Sequence, residues 1–327
     1  MGATIARRGP KTMAWLVGID EAGYGPNLGP LVMTAAACRL PPEYATADLW
    51  ELLRQGARRQ HEADDGRLVV DDSKRVYAGA RGLSRLEATL LGGVVPAEAG
   101  RDLRRLLRWA SPRAWTQLRR EPWFGGGRRL PAAAEPSPSA AHRWHAACRQ
   151  AGIDWLPLRS VVVGTSRFNA LLDRWRSKAV VLADALTDLL HALADLADEP
   201  VTVIVDKHGG RHQYTAMLQH ALPAGRVLPL RETPARSEYR IAGLRQPWRI
   251  IFQPGADAAH LPVALASMFS KYLRELLMDE FNRFWQDQLP GLRPTAGYPA
   301  DAVRFLEDIR PVLRRLGIAE ETIWRKR

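Results

Sequence analysis

The fold is decided by the stretch Ala14-Trp-Leu-Val-Gly-Ile-Asp-Glu-Ala22, which runs directly into Gly23-Tyr-Gly-Pro-Asn-Leu-Gly-Pro30. The residues Ala14 to Ile19 form a short apolar run bounded by a turn signal, which is typical of a buried strand. The glycine and proline residues that follow predict a turn. The apolar run Leu31 to Cys38 then predicts the second strand of a hairpin-like pair. The first strand therefore ends in two adjacent carboxylates, Asp20 and Glu21.

Two later strands also lead into carboxylates. Val201-Thr-Val-Ile-Val205 ends at Asp206, and Trp248 to Phe252 leads to Asp257. Early strands followed by alternating strands and helices predict a mixed sheet with helices on its faces. Strand ends are where an α/β sheet usually builds its site, so we expect all four carboxylates to lie in one region.

The rest of the chain supplies helices and two short strands. The longest predicted helix covers 168–197, because its apolar residues recur at helical spacing. Further predictions are helices over 48–65, Leu83–Leu91, Pro262–Trp285 and Ala300–Leu316, a strand at Ser160–Gly164, and a short strand entering a loop within Leu68–Lys74. The expected fold class is α/β, with a central mixed β-sheet flanked by helices and a C-terminal helical region.

Residues 92–157 have a different composition. Within 101–150 there are eleven arginines and three acidic residues, together with four tryptophans. One interpretation is a nucleic-acid-binding insertion, because arginine neutralises phosphate and indole stacks on bases. The other is a small helical subdomain with buried tryptophans and a solvated arginine face, which the partly helical spacing favours. The predicted division is 12–91 and 158–327 for the two parts of the main domain, with 92–157 inserted between them.

The composition is that of a globular protein with a basic surface. Of 327 residues, 46% are hydrophobic and 25% charged, and the formal net charge is +12. That excess favours polyanionic partners, although a GC-rich genome would also enrich arginine. Cys38 and Cys148 are too few for a disulfide scaffold or a zinc cluster. No apolar run is long enough to span a membrane, and no apolar signal segment follows the basic Met1–Lys11. We therefore expect a cytoplasmic protein, acting as a monomer.

Clustered carboxylates indicate a metal site. Mg²⁺ and Mn²⁺ prefer oxygen ligands, and grouped carboxylates are costly unless a cation offsets their charge. Two such ions can activate a water and stabilise a leaving oxygen in phosphodiester hydrolysis. The alternative is that Asp20 and Glu21 only cap the turn before the glycine loop.

Six short motifs occur along the chain in a fixed order. They are Gly18-Ile-Asp-Glu-Ala-Gly-Tyr-Gly-Pro-Asn-Leu-Gly-Pro-Leu-Val32, Asp72-Ser-Lys74, Arg167-Phe-Asn-Ala-Leu-Leu172, Val203-Ile-Val-Asp206, Gly255-Ala-Asp257 with Val263-Ala-Leu-Ala-Ser-Met-Phe-Ser-Lys271, and Ala296-Gly-Tyr-Pro299. In this order they resemble the type 2 ribonuclease H family, the group of ribonucleases HII and HIII. The resemblance covers roughly 14–75 and 160–316, and implies a ribonuclease H-like fold.

The resemblance also implies roles for particular residues. Asp20, Glu21, Asp206 and Asp257 would hold two Mg²⁺ or Mn²⁺ ions. Substrate-binding residues would be Gly23, Tyr24, Gly25, Lys74, Ser267, Lys271 and Tyr298. Of these, Lys74, Ser267 and Lys271 would contact phosphate or steady the carboxylates, and Tyr298 would pack against a nucleotide sugar. Lys74 could instead be a solvated lysine, Ser267 and Lys271 an exposed helix face, and Tyr298 a core tyrosine.

Two features depart from the family pattern. Gly23-Tyr24-Gly25 stands where ribonuclease HII normally has Gly-Arg-Gly, a turn whose backbone reaches ribose 2′-hydroxyls. The basic loop after Asp206 contains His208 and Arg211. Arg211 is expected to contact phosphate, and a histidine here could also relay a proton. Preference between embedded ribonucleotides and long hybrids stays open.

The expected activity is that of a metal-dependent endonuclease, a hydrolase. It would cut the RNA strand of RNA/DNA hybrids, or ribonucleotides embedded in duplex DNA. The alternatives are a nuclease of the same fold with another nucleic-acid substrate, a non-catalytic nucleic-acid-binding protein, and a structural protein whose basic charge reflects genomic bias.

Overall fold

The apolar stretch at the start of the chain forms strand β1, Ala14–Ala22, which is buried along most of its length. Its glycine–proline turn leads into β2, Leu31–Leu40, and the two strands pair antiparallel, as the hairpin-like pattern predicted. On its other edge β1 pairs in parallel with the strand that ends at Asp206. The first strand therefore lies inside the sheet, which explains why its sequence is apolar rather than alternating.

The structure, a computed structural model, describes residues 13–62 and 64–326. The basic segment Met1–Lys11 and the predicted domain limits at 12 and 327 lie outside the described residues. The strands are β1, β2, β3 Ala57–Arg58, β4 Leu68–Val69, β5 Asp154–Trp155, β6 Arg159–Val163, β7 Val201–Asp206, β8 Arg226–Glu232, β9 Ser237–Ala242 and β10 Trp248–Gln253. The helices are α1 Leu49–Leu52, α2 Ser73–Val76, α3 Gly82–Thr89, α4 Leu103–Ala110, α5 Pro112–Leu118, α6 Pro138–Ala151, α7 Thr165–Trp175, α8 Lys178–Leu196, α9 Thr215–Ala221, α10 Ala256–Ala259, α11 Leu261–Gln288 and α12 Pro299–Leu316.

Eight strands form one mixed sheet, and β3 and β4 form a separate two-stranded ribbon. The order in the main sheet is β5-β2-β1-β7-β10-β9-β8, with β6 also paired to β2. The central strands β1, β7 and β10 run parallel, whereas the outer pairs are antiparallel. Helices cover both faces, so the predicted α/β class with a central mixed sheet flanked by helices is confirmed.

The sheet separates two hydrophobic cores. One face packs against α8 and α9, and the other against α11, α12 and the helices between 82 and 151. Helix α11 approaches β1 so closely that a Cβ on Gly18 would lie 2.2 Å from the Pro262 backbone. Glycine at this position therefore lets the start of α11 lie directly against the strand that carries Asp20.

Two predicted elements are wrong, and one hairpin was not predicted. The helix expected over 168–197 is two helices, because Arg176 adopts a left-handed conformation with φ 52° and ends α7. The helix expected over 48–65 is limited to the single turn α1, and the strand β3 follows it. The hairpin of β8 and β9 was not predicted from the sequence, because β8 is an exposed edge strand interrupted by Pro229.

The arginine- and tryptophan-rich segment is helical and packs on the main core. Trp123 and Trp144 are buried, while Trp109 and Trp115 are partly buried against the same core. Trp123 lies edge-on to Phe281 of α11, with ring centroids 5.5 Å apart. These tryptophans are core residues rather than exposed stacking surfaces, as the helical-subdomain interpretation expected.

Glu87 ties this segment to the main core. Its carboxylate is fully buried and accepts hydrogen bonds from the backbone N–H groups of Ala132, Ala133 and Ala134 and from the Tyr272 hydroxyl. Within the described residues, no helix is both long and apolar enough to cross a membrane.

Candidate active site

Asp20 and Glu21 lie near the end of β1, where its pairing with β7 has ended at Ile19 but its pairing with β2 continues. Asp20 is 7% exposed, and its Oδ1 accepts a hydrogen bond from the Glu21 N–H at 2.8 Å. Ser270 of α11 donates a hydrogen bond to the Asp20 carbonyl at 3.0 Å. Helix α11 therefore fixes the backbone at the point where the two carboxylates emerge.

Asp206 and Asp257 approach the same place from the neighbouring parallel strands. Asp206 ends β7, and Asp257 lies in the short helix α10 directly after β10. The Ala256 N–H donates to Asp206 Oδ1 at 2.8 Å, which joins the two segments. Gly255 makes the turn with φ +64°, a conformation that glycine adopts without strain.

Burial raises the pKa of all four carboxylates, and acidic neighbours raise it further for Asp20, Glu21 and Asp257. After burial, the acidic neighbour that raises the pKa most is Glu21 for Asp20, Asp206 for Glu21, and Asp72 ahead of Asp206 for Asp257. The pKa of Glu21 rises to about 7 and that of Asp257 to about 6, while that of Asp20 lies well above its ordinary value. The pKa of Asp206 is raised by burial, against hydrogen bonds from the backbone. The four carboxylates therefore lie in one region of the structure, and ionising all of them there costs free energy.

The chemistry of these donors suits a hard divalent cation. All are carboxylate oxygens, and a cation would offset their repulsion. Across 13–62 and 64–326, however, no three His, Cys, Asp or Glu side chains already stand in an arrangement that could hold a metal ion. The donors therefore have the chemical type and charge that a divalent cation needs, but their side chains would have to move to coordinate one ion together.

Lys74 supplies positive charge to this group. It lowers the pKa of Glu21, Asp206 and Asp257, so its ammonium lies within electrostatic range of all three. Asp72 N-caps α2 by accepting a hydrogen bond from the Lys74 N–H at 2.8 Å. Asp72 also raises the pKa of Asp257, a proximity that sequence reasoning missed.

Ser267 and Lys271 lie one turn apart on α11 but have different surroundings. Ser267 is buried, its hydroxyl is hydrogen bonded to Ser73, and its hydrogen bond with Asp20 lowers the pKa of that carboxyl. Lys271 pairs with Glu275 at 2.8 Å and lies over the Tyr77 ring. The structure therefore brings Ser267 to the carboxylates, whereas Lys271 is held in an ion pair beside them.

The turn Gly23-Tyr24-Gly25 and Tyr298 form a surface next to the carboxylates. A Cβ on Gly25 would lie 3.9 Å from the Tyr298 ring, and Tyr298 is 52% exposed. Glu21 and Arg211 both influence the pKa of Tyr24, which burial raises. Tyr298 is thus an exposed ring beside the turn and not a core tyrosine.

Comparison with known proteins gives structural likeness only. No family model matches the chain, and no curated protein matches its sequence. Among solved structures, it is similar to the ribonuclease H2 from Pyrococcus horikoshii OT3, with 16% identity, 94% of this chain and 92% of that chain covered, and a TM-score of 0.45.

Two further structures give similar values. One is the RNase HII of Archaeoglobus fulgidus in a PCNA:RNase HII complex, at 14% identity, 95% and 94% coverage and a TM-score of 0.42. The other is Bst-RNase HIII in complex with Mn²⁺, at 16% identity, 97% and 66% coverage and a TM-score of 0.42. Their likeness is in fold class, and the function proposed below rests on the residues of this chain.

Two buried arginines beneath the glycine turn were missed by sequence reasoning. Arg325 donates to the carbonyls of Gly23, at 2.6 Å, and Pro26, at 3.4 Å. Arg274 lies so close that a Cβ on Gly23 would be 2.6 Å from its Nε. The C-terminal segment therefore supports the turn from below, and nothing in the local sequence around Arg325 signals this contact.

The basic loop after Asp206 separates into an exposed part and a buried part. Arg211 is partly exposed and lies 5.9 Å from the Tyr214 ring centroid. His208 is buried, with its Nε2 4.0 Å from Glu21 Oε2. Burial, with a smaller effect from Arg211, lowers the pKa of His208 to about 4. Arg211 is thus able to meet a ligand, while His208 faces inward to the carboxylates.

Proposed function

We propose that this protein is a metal-dependent endoribonuclease that hydrolyses the RNA strand of RNA/DNA hybrids or cuts at ribonucleotides embedded in DNA. The observation that carries the proposal is the gathering of four buried or half-buried carboxylates at or just after the ends of adjacent strands. Their pKa values are raised mainly by burial, and Lys74 faces them. These carboxylates do not stabilise the folded protein by themselves, because burying each charged side chain costs free energy. A bound cation offsets that cost.

The carboxylates would hold two Mg²⁺ or Mn²⁺ ions. Asp20, Glu21, Asp206 and Asp257 offer oxygen donors of the kind that these cations prefer. When bound, the ions would supply the charge that activates a water and stabilises the leaving oxygen. No side chain of the chain is needed as a nucleophile, and the resemblance implies products with 5′-phosphate and 3′-hydroxyl ends.

The surrounding residues would bind and orient the duplex. Lys74, which lowers the pKa of Glu21 and Asp257, would share its charge between the carboxylates and a substrate phosphate. Arg211 would hold a second phosphate across the site. The backbone of the turn 23–25 would approach the ribose 2′-hydroxyl, and Tyr298 would pack against the adjoining sugar. The net charge of +12 favours a nucleic-acid partner. We propose further that the enzyme acts as a monomer in the cytoplasm.

The deciding experiment is cleavage of a labelled duplex panel with Mg²⁺ or Mn²⁺. The panel contains an RNA/DNA hybrid, DNA with one embedded ribonucleotide, duplex DNA and duplex RNA. We expect cutting only of the duplexes that contain ribonucleotides, and its loss in Asp20→Asn. Cutting of duplex DNA or duplex RNA would instead indicate another nuclease.

Two controls separate the remaining alternatives. Asp173→Asn changes a carboxylate that is exposed and ion paired with Lys326, so it should leave cleavage unchanged. Duplex binding by the intact protein without cleavage under either metal would favour a non-catalytic binding protein. Weak binding that does not respond to salt would favour a structural protein.

A further inference from the structure

His208 is the one histidine in the loop after β7 whose ring points into the protein. Its Nε2 lies 4.0 Å from Glu21 Oε2, and among the described residues this nitrogen is buried without a hydrogen-bond partner. Burial of a polar nitrogen without a partner costs free energy. Such a group at the edge of a carboxylate cluster needs an explanation beyond packing.

The ring is held firmly in this orientation. It packs edge-on against Tyr214 and Phe252, with centroid distances of 6.2 Å in each case. Tyr214 and Phe252 are themselves stacked 3.6 Å apart, and the Tyr214 hydroxyl accepts a hydrogen bond from the His208 N–H. A ring fixed by this aromatic group presents Nε2 toward Glu21 at little further entropic cost.

The separation of the two atoms suits shared coordination. Ligands about 2.1 Å from one cation lie about 3 Å apart when adjacent and about 4.2 Å apart when opposite. The distance from His208 Nε2 to Glu21 Oε2 falls within that span. One ion could therefore contact both atoms with little movement of either side chain.

We propose that His208 contributes an imidazole nitrogen to the metal site, so that the site binds transition-metal ions such as Mn²⁺ and Co²⁺ in preference to Mg²⁺. This inference rests on the proposed metal site. Mg²⁺ is a hard cation that binds oxygen almost exclusively. An imidazole nitrogen suits Co²⁺ well, and Mn²⁺, although it also prefers oxygen, accepts nitrogen more readily than Mg²⁺ does. A purely carboxylate site would lack this discrimination.

The test measures metal binding and not turnover. Mn²⁺ binding is followed by electron paramagnetic resonance, Mg²⁺ binding by calorimetry, and Co²⁺ binding by its visible absorption. His208→Phe keeps an aromatic ring between Tyr214 and Phe252 but removes both nitrogens. We expect it to weaken Mn²⁺ binding about 10- to 100-fold, to change Mg²⁺ binding about threefold or less, and to alter the Co²⁺ spectrum.

His212→Phe is the matched control, because His212 is exposed in the same loop and should leave all three readouts unchanged. His208→Gln distinguishes two explanations: that His208 binds the metal ion itself, or that it only orients Glu21. Its amide could restore a hydrogen bond to Glu21, but a nitrogen ligand would still be missing, so the preference for Mn²⁺ should stay lost. Recovery of that preference in His208→Gln would overturn the inference.

Two other outcomes are equally clear. If His208→Phe weakens the binding of Mn²⁺ and Mg²⁺ equally, or weakens neither, then His208 is not a metal ligand, although the carboxylate site would still stand. Asp20→Asn tests the underlying site separately, since it should weaken both metals. If the wild-type protein binds neither metal, or if Asp20→Asn binds them as tightly as wild type, the metal site of the proposed function fails, and the inference fails with it.

Discussion

Ser267 of helix α11 and Ser73 at the start of α2 are joined by a buried hydrogen bond of 3.0 Å between their hydroxyls. The two residues are 194 positions apart and belong to two different sequence motifs. The bond docks the segment carrying Lys74 onto the helix that faces Asp20. It therefore couples the position of a cation to the carboxylates that it faces.

The first prediction concerns this coupling. Ser73→Ala and Ser267→Ala should each lower cleavage of the preferred duplex, and the double variant should lose less than the sum of the two. A shared hydrogen bond of this kind gives an interaction energy of about 0.5–1.5 kcal/mol. Rates of the four proteins under single-turnover conditions provide the measurement. Strict additivity would show that the two hydroxyls act independently.

The second prediction concerns the effect of pH on stability. The folded-state pKa of Glu21 is raised from 4.5 to about 7, so folding retains a proton that the unfolded chain loses earlier. Its contribution to stability is fully present below about pH 4.5 and is lost as pH rises to about 7. In EDTA, the free energy of unfolding should therefore fall over this range.

Asp20→Asn provides the comparison for that experiment. Removing one buried charge should raise the free energy of unfolding in EDTA at pH 8 by about 1–3 kcal/mol, while abolishing stabilisation by Mn²⁺. Urea denaturation at several pH values, with and without Mn²⁺, checks both effects. A less stable Asp20→Asn protein in EDTA would contradict the electrostatic account.

The third prediction concerns Lys74. Lys74→Met removes the charge that lowers the pKa of three carboxylates, so kcat/KM for the preferred duplex should fall about 10- to 100-fold, or about 1.4–2.7 kcal/mol. Arg75→Met is the control, because the neighbouring Arg75 is exposed and lies 3.7 Å from Asp71 rather than at the cluster. Similar losses in both variants would indicate a general effect of surface charge.

The fourth prediction concerns Arg211 and salt. Replacement of one phosphate-contacting arginine should weaken duplex binding and reduce the slope of log K against log salt by about 1. Arg211→Ala is therefore compared with Arg240→Ala, an exposed arginine on β9. Fluorescence anisotropy at four salt concentrations, with Ca²⁺ replacing the catalytic ion, gives the slopes. An unchanged slope in Arg211→Ala would remove it from the binding surface.

The fifth prediction concerns the inserted segment. Glu87 accepts hydrogen bonds from three backbone N–H groups of 132–134 and from Tyr272. Glu87→Ala should lower the free energy of unfolding by about 3–5 kcal/mol, because the buried Tyr272 hydroxyl and three backbone N–H groups at the surface of the core lose their partner. Glu98→Ala, which changes an exposed carboxylate, should cost about 0.5 kcal/mol or less. Two equal losses would argue against anchoring through Glu87.

Much of the main sheet was predictable because its strands are apolar runs that end in recognisable signals. Strands β2, β7 and β10 were anticipated to within two residues, and β1 extends three residues beyond its predicted end at Ile19. The break between α7 and α8 was not anticipated, because the helical spacing of apolar residues continues through Arg176. Only the left-handed backbone conformation of Arg176 ends the helix there. Edge strands such as β8 also give little signal, since most of their side chains are exposed.

The sequence by itself determined which carboxylates end the parallel strands, because strand length and direction follow from local apolar patterning. It did not determine what surrounds them. The approach of His208 to Glu21, the support of Gly23 by Arg325, and the bond between Ser73 and Ser267 each join distant parts of the chain. Only tertiary packing decides such contacts, because they depend on how helices and loops lie against the sheet and not on any local pattern of residues.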